Sequence, residues 1–246
     1  ALEETPLFAE RVAAGELPPI RQRVPMQPSV AHFSGERSIG QQGGELRTLI
    51  GRAKDVRLLV VYGYARLVAY NEDFELEPDI LESYEIEDGR SFTLHLRKGH
   101  KWSDGTPFTV EDIRYWWEDI ANNAKLSPAG PPREMLIDGK PPVFDVLDDT
   151  TVRFTWHREN PFFLPRLAGA SPLFIYRPSH YLKQFHAKYA DPVMLKQVLR
   201  KRRIRNWASY HNRLDNMYRF DNPELPTLQP WINTTRPPAQ RFVAER

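Results

Sequence analysis

The sequence predicts a mixed α/β chain, and three observations carry that expectation. Phe92, Leu94 and Leu96 alternate with Thr93, His95 and Arg97, the period-2 pattern of a half-buried strand. A tight polar turn at Asp104-Gly105, with Pro107 beside it, then leads into an amphipathic helix. Thr109 has the side chain of an N-cap, Asp112 sits three residues on, and Ile113, Trp116, Trp117 and Ile120 share one helix face. Finally, Asp88-Gly89 and Asp148-Asp149 each join two alternating segments, as hairpin turns do.

Composition limits the function classes. The chain has 246 residues, 41% hydrophobic and 12% aromatic, enough to build a core. Its 34 basic and 32 acidic residues nearly balance, which argues against a dedicated nucleic-acid binder. Cysteine is absent, so disulfides, thiol catalysis and Cys-based metal sites are excluded. The 22 prolines, many in doublets, predict long irregular connections. No stretch is apolar enough for a membrane-spanning helix. The chain starts at Ala1 rather than Met, as a processed or trimmed N-terminus would.

In order, residues 1–45 read as a proline-rich arm. One short helix is expected from Pro6 to Gly15, with Leu7, Val12 and Ala13 or Ala14 inward, followed by extended chain through Pro18-Pro19, Pro25 and Pro28. Glu45 to Ile50 reads as a short strand, and the apolar run from Val56 to Tyr64 is ambiguous. Tyr70-Asn71-Glu72-Asp73 is a turn. Val152, Phe154 and Trp156 alternate as a further half-buried strand. A basic helix is expected from about Pro192 to Arg205, with Val193, Lys196 and Leu199 on adjoining positions.

No constellation carries catalytic chemistry. His180 and His186 are six apart and share no helix face, so no metal site is expected. Adjacent carboxylates such as Asp148 with Asp149 point to opposite faces of a strand. Turn and capping roles account for Asp88, Asp104, Asp112 and Asp148. The basic run at 196–205 reads as a solvated helix face. Of the six tryptophans, Trp116 and Trp156 fall on apolar faces and are expected in the core. Trp231 and Tyr62 to Tyr64 lie where elements end and are better candidates for a ligand cleft.

The stretch LHLRKGHKWSDGTPFTVEDI resembles the signature region of the family 5 solute-binding proteins of ABC importers, the oligopeptide/dipeptide-binding class. LESYEIEDGRSF, DDTTVRFTW, Asn160-Pro161-Phe162-Phe163 and the closing LPTLQPWINTTRPPAQRFVAER extend the resemblance from about Gly43 to Arg246. The resemblance implies a periplasmic-binding-protein type II-like lobe carrying an inserted small mixed domain. By analogy, 1–65 and 171–246 would form the first lobe and 66–170 the inserted domain. The lobe that closes over the ligand would be missing, making this chain an N-terminal fragment that binds weakly by itself. Trp102, Asp104, Gly105, Thr106, Pro107, Thr109 and Asp112 would be scaffold signature. Tyr62, Tyr64, Arg66 and Trp231 are the ligand-binding candidates. The implied activity is capture of a small solute, an oligopeptide first, and its delivery to an ABC permease. No chemistry, cofactor, metal or nucleic acid is involved. The implied protein is a periplasmic monomer whose signal peptide has been removed. The alternatives are a sugar, opine or metal-chelate ligand, or a structural or interaction protein on the same scaffold.

Overall fold

A computed structural model describes residues 2–31, 35, 36, 38, 40, 41, 43–219 and 221–245. The arm begins with helix α1, Pro6–Ala13, which is followed by Gly15 in the left-handed conformation. Its inward residues are Phe8 and Val12, both half-buried, whereas Leu7 is exposed. A four-residue helix α2, Ile20–Arg23, replaces the extended chain expected after Pro19. Glu4 explains it, because its carboxylate accepts the Ile20 N–H at 3.1 Å and pairs with Arg23, giving α2 an acidic cap. The arm then docks on the turn after residue 96. Met26 N–H donates to Lys98 O at 2.9 Å, and the Arg97 guanidinium donates to Gln27 O at 2.9 Å.

The strand expected at Glu45 to Ile50 is not formed. The backbone there pairs with no described strand, and Leu46 and Leu49 are exposed. The ambiguous run at 56–64 is helical, a 3₁₀ turn Ala53–Leu58 running into α3, Leu59–Gly63. Strands β1, Val68–Tyr70, and β2, Leu76–Pro78, form an antiparallel pair. Asn71 holds their turn, its Oδ1 accepting the N–H groups of Asp73 and Glu75.

The main sheet has β3, Leu81–Glu87, and β4, Ser91–Leu96, joined through Asp88 and Gly89 at φ 51° and 62°. Two positive φ values match the hand of a tight hairpin turn to the strand twist. Strands β5, Val143–Val146, and β6, Thr151–Thr155, complete an antiparallel order β3-β4-β6-β5. One face carries Phe92, Leu94, Val152 and Phe154, all buried. The other face is polar yet partly buried, laced by Ser91 to Thr155 at 3.0 Å and Arg153 Nε to Thr93 at 3.0 Å.

Helix α4, Val110–Arg114, packs on the apolar face and continues as a π-helical segment, Tyr115–Ala121. The sequence pattern predicts regular α winding through Ile120. The wider coil is marked by Asn122 N–H donating five residues back to Trp117 O at 3.1 Å. It lets six of the seven residues bury, with adjacent Trp116 and Trp117 both in the core. Trp117 meets Phe154 edge-on at 5.9 Å. Tyr115 points into a second cluster with Leu126, Leu182 and Ala208. Helix α5, Phe163–Ala168, closes the sheet face through Phe163, 5.1 Å from the Phe92 ring and 4.9 Å from Trp156.

Asp112 ties this region together. Its buried carboxylate accepts from Trp102 Nε1 at 3.0 Å, Thr109 N–H at 3.1 Å and Ser179 N–H at 2.9 Å. Burial nonetheless raises its carboxyl above the ordinary aspartate range. Before it, Gly105 takes φ 86° to close the turn, Trp102 N–H donates to Thr106 O at 2.8 Å, and Thr106 N–H donates to Asp104 at 3.0 Å. Asp104 also pairs with His180 at 2.7 Å.

Beyond α6, Ser179–Leu182, helix α7 spans Pro192–Arg202 under an Asp191 cap. It stops short of Arg205 because Arg203 turns left-handed and Ile204 N–H bonds back to Leu199 O at 3.0 Å. Its buried residue is Leu195, while Val193 is exposed. Helix α8, Trp207–Leu214, buries His211 against Tyr115, whose hydroxyl lies 2.7 Å from Nε2. Burial drives the His211 imidazole down to about 3 and His100 down to about 4. Short strands β7, Ile232–Asn233, and β8, Ala244–Glu245, end the described chain.

Two outcomes follow. Asp112→Ala leaves three buried donors unmatched and is expected to cost about 3 kcal/mol, read from urea unfolding. His211 stays neutral in the fold but protonates in the unfolded chain near its ordinary value of 6.5. Its contribution is therefore complete above pH 6.5 and is lost on acidification towards about 3. Relative to His211→Phe, the wild type is expected to lose about 1.4 kcal/mol per pH unit in that window. Parallel stability curves for the two proteins would contradict it.

Candidate functional site

Helix α3 has a second role, as one wall of a shallow cleft. Val56, Leu59 and Val60 line one side, and Met217, Leu225, Gln229 and Trp231 line the other. The two walls touch at Gly63. A Cβ there would lie 3.1 Å from the ring of Pro230, so any side chain would force that ring back by a few tenths of an ångström. Buried Gln229 donates through Nε2 to Ala65 O at 3.1 Å, which fixes the return segment against the α3 end. Its Oε1 is also buried and has no donor.

The four ligand-binding candidates fall in different places. Trp231 lines the cleft and is 37% exposed, so one side of its indole is free. Tyr62 is 76% exposed but lies outside the cleft lining. Tyr64, at φ 47°, ends α3 and turns inward, its hydroxyl donating to Ala168 O at 2.8 Å. Arg66 is fully buried. Its guanidinium donates to Ala65 O at 2.9 Å, Val60 O at 3.2 Å and Gly169 O at 3.2 Å. It also lies over the rings of Tyr64 and Phe174, at 5.1 and 5.7 Å. Its own N–H donates to Asp79 at 2.8 Å. Burial lowers the Arg66 pKa and raises that of Asp79. Arg66 thus pins the strand leaving α3 to the segment returning at 168–170, and it supports the cleft from behind.

Sequence reasoning missed Gln229, Met217 and Leu225. The only local signal for Gln229 and Leu225 is the prolines around them, which mark irregular chain without saying what it faces, and Met217 has no such signal. The cleft lining includes no Asp, Glu or His, so the arrangement offers stacking, apolar contact, the Arg57 and Arg219 guanidiniums and the amides of Asn222, Gln229 and Asn233, and no acid–base pair. Among the described residues no group of three or more His, Asp or Glu could hold a metal ion.

Arg66→Lys keeps the charge but not the fork of donors. It is expected to lower stability by about 2 kcal/mol, seen as an earlier urea midpoint, whereas Tyr62→Ala should change it by less than about 0.5 kcal/mol. Equal effects of the two would remove the pinning role from Arg66.

Comparison with known proteins bears on this geometry. The chain is 27% identical over 259 aligned positions to the periplasmic alpha-galactoside-binding protein of Rhizobium meliloti (strain 1021), covering 96% of the chain and 34% of that protein. It is 31% identical to the periplasmic oligopeptide-binding protein OppA of Escherichia coli (strain K12), over 47% of the chain and 23% of that protein. A solved oligopeptide-binding protein OppA superposes on 100% of the chain and 38% of its own length, with a TM-score of 0.85 at 32% identity. The periplasmic binding protein MelB from Agrobacterium fabrum C58, solved with stachyose, gives 0.65 at 25% identity, again over 100% of the chain and 38% of its own length. The chain therefore spans about a third or less of the length of the curated relatives it matches. Residues 75–201, more than half of the chain, match the middle region of the bacterial extracellular solute-binding proteins, family 5. The chain belongs to that family.

Proposed function

We propose that this chain supplies one wall of a two-lobed, periplasmic solute-binding protein that captures a small solute and delivers it to an ABC permease without chemistry. The observation that carries the reading is the superposition of the whole chain on an oligopeptide-binding protein at a TM-score of 0.85. In this reading residues 1–65 and 171–246 belong to the solute lobe, and 66–170 form the smaller domain inserted in it. The four-stranded sheet lies wholly within the inserted part. Arg66 stands where the chain crosses from one part to the other, and its partners at 169 and 170 stand at the return crossing. The solute rests on the cleft between α3 and residues 217–233, against the exposed part of Trp231 and the amides of Asn222 and Asn233.

An oligopeptide is the first ligand class, because a peptide offers both the N–H groups and the side chains this wall can take. A second reading, an α-galactoside, is favoured by the relative that aligns with 96% of the chain. Exposed indole faces suit sugar rings as well as side chains. In both readings affinity depends on a second lobe closing over the solute.

The test is calorimetric titration with a defined set of tri-, tetra- and pentapeptides and with stachyose. It compares the product of the whole gene with this 246-residue chain. The whole product is expected to bind a member of the peptide set at least about 100-fold tighter than this chain does, and Trp231→Ala to weaken it about tenfold. Preference for stachyose selects the second reading. Tight binding by this chain alone would overturn the two-wall account.

A further inference from the structure

The return segment has a second recess on its other side, behind the candidate solute cleft. It lies between the C-terminal end of α7, helix α8 and residues 221–236, with a volume of about 590 Å³. That is too large for one ion and suits a few residues of extended chain. Its floor is apolar and aromatic. Tyr181, Phe185, Val198, Ile204 and Tyr210 line it, with Phe185 edge-on to Tyr210 at 5.4 Å and to Tyr181 at 5.5 Å. Its rim is cationic, formed by Lys201, Arg202, Arg213 and Arg236.

The charge on that rim is not balanced by the protein. From Pro192 to Leu214 the sequence has seven Lys and Arg residues and no Asp or Glu. Arg213 pairs with Asp221 at 3.2 Å, and Arg236 pairs with Glu224. Lys201 and Arg202 are exposed and form no ion pair with any described residue. Arg200, Arg203 and Arg205 are exposed beside them but outside the recess. The result is a groove with an apolar floor and an excess of positive charge at its lip.

We propose that this groove docks an acidic segment of a partner protein, with an aromatic or aliphatic side chain on the floor and carboxylates at Lys201 and Arg202. Two features favour a polypeptide over a lipid surface. The apolar residues are recessed, whereas an interfacial helix presents its apolar face outward. Asp221 and Glu224 also stand in the lining and would oppose a sheet of headgroup phosphates, while a peptide can thread its carboxylates past them. The site lies apart from Trp231 and does not depend on the solute reading.

The experiment uses the product of the whole gene and a fluorescein-labelled hexapeptide of four acidic residues, one phenylalanine and one leucine, followed by fluorescence anisotropy. The matching amide peptide is the uncharged control. The acidic peptide is expected to bind and the amide peptide not to. Lys201→Glu with Arg202→Glu should weaken binding at least about tenfold, since both groups sit at the lip. Arg200→Glu with Arg205→Glu, the same change in charge outside the groove, should weaken it less than about threefold. All these residues are exposed, and an unchanged thermal midpoint confirms that the variants fold. Absence of peptide binding overturns the proposal, as does equal loss from Arg200→Glu with Arg205→Glu. Retention on phosphatidylglycerol vesicles without peptide binding overturns it in favour of a lipid surface.

Discussion

The structure depends on the buried carboxylate of Asp112. Three donors converge on it: the Trp102 indole and the Thr109 amide from the turn just before it, and the Ser179 amide from a segment 67 residues on. Desolvation of a carboxylate is costly, and only a full set of donors offsets it. The Trp-Ser-Asp-Gly-Thr-Pro turn, the helix it leads into and the chain returning sixty-odd residues later therefore have one geometry in common. Ser103 N–H extends the same unit to Thr227 O at 3.0 Å. This links the signature turn to the segment that carries Gln229 and Trp231.

A second polar anchor lies at the other end of that segment. Arg66 is buried without a carboxylate against its guanidinium, and it is held by backbone carbonyls and two aromatic faces. Carbonyl partners suit a position where the chain crosses twice, because they are present whatever the side chains there. Between them, Asp112 and Arg66 hold the two walls of the cleft to a common core. The cleft lining mixes apolar side chains with guanidinium and amide groups and holds no carboxylate or imidazole.

Much of the fold is legible in the sequence, and the reasons are local. The Asp88-Gly89 and Asp148-Asp149 turns, the alternation of Phe92 to Leu96 and the Thr109 start of α4 each depend on neighbours within a few residues. What is not legible depends on distant partners. The π winding of 115–121 arises because the helix is packed on two sides, with Tyr115 meeting a histidine 96 residues away. Arg66 reads as an exposed cleft residue until Gly169 and Ala170 are brought against it. The strand expected at Glu45 to Ile50 has the right composition, but composition supplies no pairing partner. Of the candidate cleft, Trp231 is legible as an aromatic at an element end. Gln229 is not, since its role comes from the carbonyl of Ala65 across the gap.

If the cleft between α3 and residues 217–233 is a wall of the solute site, a bound solute shields both of its sides from solvent. Hydrogen exchange read by mass spectrometry, on the whole gene product with and without a saturating bound peptide, tests it most directly. Added protection is expected at 56–66 and 217–233, with the main sheet unchanged. Protection confined to other segments, with these two exchanging as in the free protein, would contradict it.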